Sequence, residues 1–216
     1  MSRGVQQSQP TEGLHRRTNH RVKDLQTPAF VIDRFKFSRN CQQILDHAER
    51  NGFRVRPHIK THKTVQGALL QATGMEQSEH DQPVKVSSLV TGFVASTLPE
   101  VELLIDAAKS YGGPFCDILY GVPVTQSKLE RIHSLRETTG IPNLTVRILL
   151  DNEGQVDAVE QFAREQNVQR PFSVFVKLDT GYHRAGIACD NRGVKLVNRI
   201  ATGSPFLQLA GVYSHW

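Results

Sequence analysis

Short apolar runs of strand character recur along the chain at intervals of roughly 28–35 residues, and segments of helical period lie between them. The runs are Arg54–Ile59, Val86–Ala95, Asp117–Val122, Thr145–Leu150, Ser173–Leu178 and Leu207–Tyr213. Several are apolar almost throughout (Ile148-Leu149-Leu150, Val174-Phe175-Val176) rather than alternating, as in strands covered on both faces. Strand–helix alternation of this kind selects parallel pairing through right-handed crossovers. A doubly wound sheet and a (β/α)8 barrel both satisfy it. A dinucleotide-binding doubly wound sheet would carry G-x-G-x-x-G after a strand, and the chain has none. The expected fold is therefore α/β, a TIM barrel. A complete barrel takes about 250 residues, so the 216 present correspond to an incomplete one of about six of eight βα units.

The helical segments can be read individually. Phe37, Cys41, Ile44, Leu45 and Ala48 share one face, with Ser38 or Asp33 as a cap and Asn51-Gly52 as the stop. A second helix runs from Thr64 to Thr73. Val101, Leu104, Ile105 and Ala108 mark a third, behind Ser96-Thr97 and Pro99. Leu129, Ile132 and Leu135 mark a fourth, and Val156, Val159, Phe162 and Ala163 a fifth, with Asp151 or Asn152 at its start. Val194, Val197, Ile200 and Ala201, followed by Gly203, mark a sixth.

Residues 1–25 show no apolar period and are read as a disordered, basic N-terminal extension; 26–216 form the barrel portion. Within 14–23 lie Arg16, Arg17, Arg21 and Lys23 with no acid, which fits a nucleic-acid arm, a targeting segment or a solvated tail. No aromatic residue is interleaved to stack on bases, so no nucleic-acid partner is expected. Order begins near Thr27, with a strand-like run at Ala29–Asp33. Hydrophobic residues make up 38% of the chain, too many for a wholly disordered one, and no run reaches the length of a membrane span. Cys41, Cys116 and Cys189 form no paired motif, and no apolar leader precedes the fold; a reducing, cytoplasmic setting with no membrane association is expected.

In a barrel the chemistry sits at the C-terminal ends of the strands. Here those ends hold His58, Lys60, His62 and Lys63; Tyr120-Gly121; Asp151-Asn152; Lys177 through Arg184; and Tyr213-Ser214-His215. Lys60 stands out. Its approach is apolar (Val55, Ile59) and its neighbours His62 and Lys63 are basic, so partial desolvation and like charge are expected to depress its pKa and free the amine for Schiff-base chemistry. The alternative is a loop-end surface lysine. His58 and His62 lie two residues either side, on the same side as Lys60 if the segment stays extended, and no metal is expected from them. His215 could stack on a flat ring or be ordinary surface. Asp179 and Arg184 could pair with each other. Asn152 is read first as a helix cap.

The stretch Arg56-Pro57-His58-Ile59-Lys60-Thr61-His62-Lys63-Thr64 resembles the cofactor-lysine motif of eukaryotic D-serine dehydratases, which group with alanine racemase and D-threonine aldolase among the fold-type III pyridoxal-phosphate enzymes. Thr27-Pro28-Ala29, Ser96 to Glu100, Asp117 to Pro123, Lys177 to Gly186 and Gly211 to His215 resemble further segments in the family order, so the resemblance covers about 26–215. It implies a lyase with pyridoxal phosphate as cofactor and a D-amino acid as substrate. Lys60 would hold the cofactor and act as base at the substrate Cα. Arg184 would lie near the cofactor's phenolic oxygen or the substrate carboxylate, His215 against the pyridine ring and Tyr182 near the ring nitrogen. D-serine would lose its β-hydroxyl and yield pyruvate and ammonia, with zinc assisting departure of the hydroxyl. The resemblance also implies a homodimer in the full-length form. The zinc ligands, the last two barrel strands and a C-terminal β-domain belong to a part of the family chain with no counterpart here. A D-threonine aldolase-like lyase and an inactive truncated product are the alternatives. The apolar stretch Ser87–Phe93 departs from the family pattern, as a lengthened strand or as retained non-coding sequence.

Overall fold

A computed structural model describes residues 21–74, 84–137 and 140–215. The chain divides after Asp33 into two units. Most of the expected N-terminal extension, 1–20, lies outside the described residues. In the first unit, Val22–Asp24 form one 3-10 turn, with Arg21 paired to Asp24 at 2.9 Å. The run Ala29–Asp33 takes no strand conformation among the described residues, and Phe30 and Val31 are exposed.

In the second unit, α1 (Arg34–Asn51) buries Cys41, Leu45 and Ala48. Ile44, expected on the same face, is 53% exposed at its margin. The helix stops where Gly52 takes a φ of 68°, letting the Phe53 N–H reach back to the Ala48 carbonyl at 3.1 Å. The segment 54–59 then runs alongside Val90 and Val94 through two isolated parallel bridges instead of an unbroken strand. Pro57 in its middle has no N–H to give a ladder.

The rest follows the expected alternation. Helix α2 (Val65–Thr73) is capped by Thr64, and β1 is only Phe93–Ala95. Ser88 and Leu89 form a turn, so Ser87–Phe93 is not a lengthened strand. Then come α3 (Leu98–Tyr111, capped by Thr97), β2 (Asp117–Pro123), α4 (Leu129–Glu137) and β3 (Thr145–Leu150). They are followed by α5 (Glu153–Glu165, capped by Asn152), β4 (Phe172–Asp179), β5 (Ile187–Ala188), α6 (Asn191–Thr202, capped by Asp190) and β6 (Leu207–Ser214). All pairings are parallel, in the order β1-β2-β3-β4 with β6 on the far side of β4. Leu178 pairs with Ile187 and with Ser214, so the short, unexpected β5 occupies the β3 side of β4, just past the end of β3.

The sheet has two dissimilar faces, which is why its strands read as nearly continuous apolar runs. Phe93, Ile118, Tyr120, Val146, Ile148, Val174 and Val176 pack in one cluster with Val101, Leu104, Ile132, Val159 and Ile200 of the helices. Val94, Leu119 and Leu149, flanked by Phe175 and Tyr213, form a second, smaller cluster on the inner face. At the N-terminal ends of the strands the inner face is ionic. Asp117 accepts hydrogen bonds from Arg147 Nε (2.7 Å) and Nη2 (2.7 Å) and from Arg56 Nη1 (2.8 Å), and Arg147 Nη1 also donates to Ser173 Oγ. Burial would raise the Asp117 carboxyl, but the hydrogen bonds from Arg147 and Arg56 outweigh it and hold it below the usual range. Gly92 is required beside this clamp, because a Cβ there would lie 2.3 Å from Arg56 Nη1 and 2.4 Å from the Asp117 carbonyl.

Candidate active site

At the opposite, C-terminal ends of the strands, the segment 54–59 breaks into a turn that starts at Lys60. The Lys63 N–H closes this turn on the Ile59 carbonyl at 2.8 Å, with Lys63 at a φ of 51°. Lys60 is exposed, which corrects the expectation of a desolvated amine: the turn lifts it off the sheet to the rim. The turn also separates the two histidines. His62 is 9% exposed and faces away from the rim, with Nδ1 accepting from the Thr64 N–H (3.2 Å), Nε2 beside Gln71 Oε1 (3.2 Å) and its ring against Phe37. Burial, the largest influence, pushes its pKa down.

His58 stays with the lysine. Its Nδ1 accepts the Lys60 backbone N–H at 3.2 Å, and its Nε2 lies 3.2 Å from Ser96 Oγ. Burial, then Lys60, pushes its pKa down to about 4, with Glu100 opposing and His215 and His62 adding to the fall. Behind Ser96, Glu100 is buried; its Oε2 accepts the Ser96 N–H at 2.7 Å and its Oε1 lies 3.4 Å from Lys63 Nζ. With Thr97 accepting from the Glu100 N–H, this is a variant of the capping box at the start of α3.

Across the rim, the loop after β4 folds around Asp179. Its Oδ1 accepts the Gly181 and His183 N–H groups, each at 3.0 Å, and its Oδ2 meets His183 Nδ1 at 3.0 Å. These backbone bonds lower its pKa. Asp179 is thus spent on its own loop and makes no ion pair with Arg184. The Arg184 guanidinium instead lies 5.1 Å from the Tyr182 ring centre, and that ring meets His215 edge-on at 5.5 Å. Asp151 is also committed, to the Gly186 N–H (3.0 Å) and Asn152 Nδ2 (2.9 Å). Asn152 caps α5 through the Gln155 N–H, as expected.

Lys177 is a further residue of the rim. It is 4% exposed, next to Tyr213 in register on β6. Burial lowers its pKa, Arg184 lowers it further, and Asp151 partly opposes. A signal existed: Ser173, Phe175, Lys177 and Asp179 alternate along β4, and that parity faces the inner side. His215 joins the two halves of the rim, since Arg184, Lys60 and Lys177 all act on it to lower its pKa, after the effect of burial. Tyr182, Arg184 and His215 are therefore brought together as a group, with Lys60 and Lys177 close enough to be felt there.

The rim thus gathers three cations and two neutral histidines around acids whose oxygens are already taken by amides and by the His183 ring. An anion carrying phosphate or carboxylate oxygens fits such a site, and an exposed primary amine at its edge fits covalent attachment of a carbonyl. Among the described residues, no group of three His, Cys, Asp or Glu side chains is placed to hold a metal ion, so these residues by themselves do not make a zinc site. No helix among them is long and apolar enough to cross a membrane.

The N-terminal domain pattern of alanine racemase matches residues 32–216. The chain is 36% identical over 196 residues to a D-serine dehydratase of Schizosaccharomyces pombe, covering 90% of this chain and 43% of that protein. It is 31% identical to a D-serine dehydratase of Dictyostelium discoideum, covering 91% of this chain and 46% of the relative. Among solved structures, the D-threo-3-hydroxyaspartate dehydratase from Delftia sp. HT23 superposes with a TM-score of 0.67 at 30% identity, over 89% of this chain and 44% of the other. The chain spans somewhat less than half the length of these relatives.

Proposed function

Because the chain belongs to the alanine racemase N-terminal domain family, with its parallel α/β barrel architecture, we propose that the full-length protein is a pyridoxal-phosphate-dependent lyase that eliminates water from D-serine to give pyruvate and ammonia. The observation that carries this reading is the gathering at the C-terminal rim of Lys60 at the start of its turn, Lys177 beside Tyr213, and the contacting set of Arg184, Tyr182 and His215. The named activities of the more similar relatives, two D-serine dehydratases and a D-threo-3-hydroxyaspartate dehydratase, support the choice of a dehydration.

When bound, pyridoxal phosphate supplies an electron sink for the carbanion at Cα. This chain's residues would do the rest. Lys60 Nζ would hold the cofactor's carbonyl carbon and, once displaced by the substrate amine, accept the Cα proton. Arg184 and Lys177 would neutralise phenolate or carboxylate oxygen. His215 and Tyr182, already in edge contact, would form a wall for the flat ring. In this reading 26–216 are the cofactor-binding part of the barrel and 1–25 an appended extension.

The test uses the full-length protein with added pyridoxal phosphate, reduced with borohydride and mapped by mass spectrometry. A covalent adduct on Lys60, absent in Lys60→Ala, together with pyruvate release from D-serine, is the expected result. No adduct on Lys60 in the wild type overturns the reading. Glycine and acetaldehyde from D-threonine, without pyruvate from D-serine, replaces dehydration with aldol cleavage.

A further inference from the structure

We infer that His58 is a positioning residue for Lys60: a neutral imidazole that caps the lysine turn and ties it, through Ser96 and Glu100, to the start of α3. The inference rests on the proposed role of Lys60.

The argument starts from the turn itself. At the first residues of a helical turn the N–H groups have no partner within the turn, and an acceptor from outside must take them. Here the turn closes with the Lys63 N–H on the Ile59 carbonyl, and the Lys60 N–H is taken by His58 Nδ1 at 3.2 Å. An imidazole nitrogen that accepts an amide proton carries none of its own, so the neutral ring bears its proton on Nε2. That nitrogen is 3.2 Å from Ser96 Oγ, to which it donates. The Ser96 backbone is in turn held by Glu100 Oε2 at 2.7 Å, and Glu100 Oε1 faces Lys63 at the other end of the turn. The turn bearing Lys60 is therefore fixed at its start by His58 and at its end by Lys63, both anchored on one buried carboxylate of α3.

The surroundings preserve the ring state this needs. The charged and titratable groups facing His58 are Lys60 and His62 on its own segment, Glu100 on α3 and His215 after β6. Burial weighs most against the charged ring and Lys60 adds to it, together outweighing Glu100, so the ring stays neutral at physiological pH and Nδ1 stays an acceptor. On its β2 side the ring lies beside Gly121, where an added Cβ would come into ordinary contact with His58 Nε2 at 3.8 Å. A protonated ring would present a second N–H to the Lys60 amide and release the turn.

The experiment compares His58→Phe, which keeps a ring and loses both hydrogen bonds, with His58→Asn, whose Oδ1 reaches the same amide, in the full-length protein. Three readouts are taken: hydrogen exchange of the Lys60 amide, the borohydride-trapped adduct on Lys60, and kcat and KM for D-serine. In His58→Phe the Lys60 amide should exchange about tenfold faster. The adduct should still form, and kcat should fall on the order of 10²-fold with little change in KM, as expected when a reacting group is misplaced but not removed. His58→Asn should recover most of both losses. Should His58→Phe fail to fold, Ser96→Ala keeps the ring and removes its Nε2 partner, and should shift exchange and kcat the same way by less. Wild-type exchange and kcat in His58→Phe, or in Ser96→Ala where it stands in, overturn the inference alone, as does no recovery in His58→Asn. A wild-type protein with no adduct on Lys60 overturns the proposed function, and the inference with it.

Discussion

The two ends of the sheet's inner face carry similar residues and use them in opposite ways. At the N-terminal end, Asp117 is matched to Arg56 and Arg147 with three side-chain hydrogen bonds, and Arg147 also engages Ser173. The carboxylate is saturated and the group closes on itself. At the C-terminal end, Lys60, Lys177 and Arg184 share the rim with Asp151 and Asp179, but those acids are engaged by backbone and amide N–H groups and by the His183 ring. The positive charge there is left for something else to balance. One end is built as a structural clamp and the other as a receptor for an anion, and what separates them is where the carboxylate oxygens point.

Substitution at each end sharpens this contrast. Asp117→Asn leaves two half-buried guanidiniums without their counter-charge. It should cost about 2–3 kcal/mol of folding free energy, less than the loss of a fully buried partner because the clamp is partly hydrated. Denaturant titration measures it, and cofactor binding by the protein that remains folded should be unchanged. Lys177→Met should behave in the opposite sense. Removing a desolvated cation leaves stability equal or higher, whereas affinity for pyridoxal phosphate should fall about tenfold through loss of a charged interaction. A thermal melt and a binding titration on the same sample separate the two. If Lys177→Met melts well below wild type, the lysine belongs to the fold and the contrast between the ends fails.

A pH dependence from His58 tests the C-terminal end by itself. Its pKa in the folded chain is about 4, against an ordinary value of 6.5. Between these values the unfolded chain takes up a proton that the folded chain does not, so the contribution of His58 is fully present above about pH 6.5 and is lost as pH falls towards 4. Denaturation midpoints over that window should fall with pH in the wild type and more shallowly in His58→Asn.

The period-two and helical patterns were enough to place most elements, because they are local: Leu104 and Ile105 mark one face of α3 whatever packs on it. They failed where a neighbour decides the outcome. Ala29–Asp33 has strand composition but joins no sheet among the described residues, and Pro57 limits 54–59 to bridges. Ser87–Phe93, as apolar as a strand, turns at Ser88-Leu89. At the site, the motif around Lys60 was legible from residue order alone, and so was the gathering of chemistry at one rim. The alternation of Ser173, Phe175 and Lys177 places Lys177 on the inner face, but which face is inner depends on what packs against the strand.

The sequence by itself determined a parallel α/β architecture with a candidate lysine at the C-terminal rim, because periodicity and motif order are properties of neighbouring residues. Tertiary structure decided the rest. It exposed Lys60, turned His62 away, spent Asp179 on its own loop rather than on Arg184, and set Asp117 between Arg56 and Arg147. Each of these outcomes depends on which donor reaches an oxygen or a nitrogen first. That is set by distances between groups as far apart in the chain as His58 and Ser96, or Asp117 and Arg56, which no local pattern encodes.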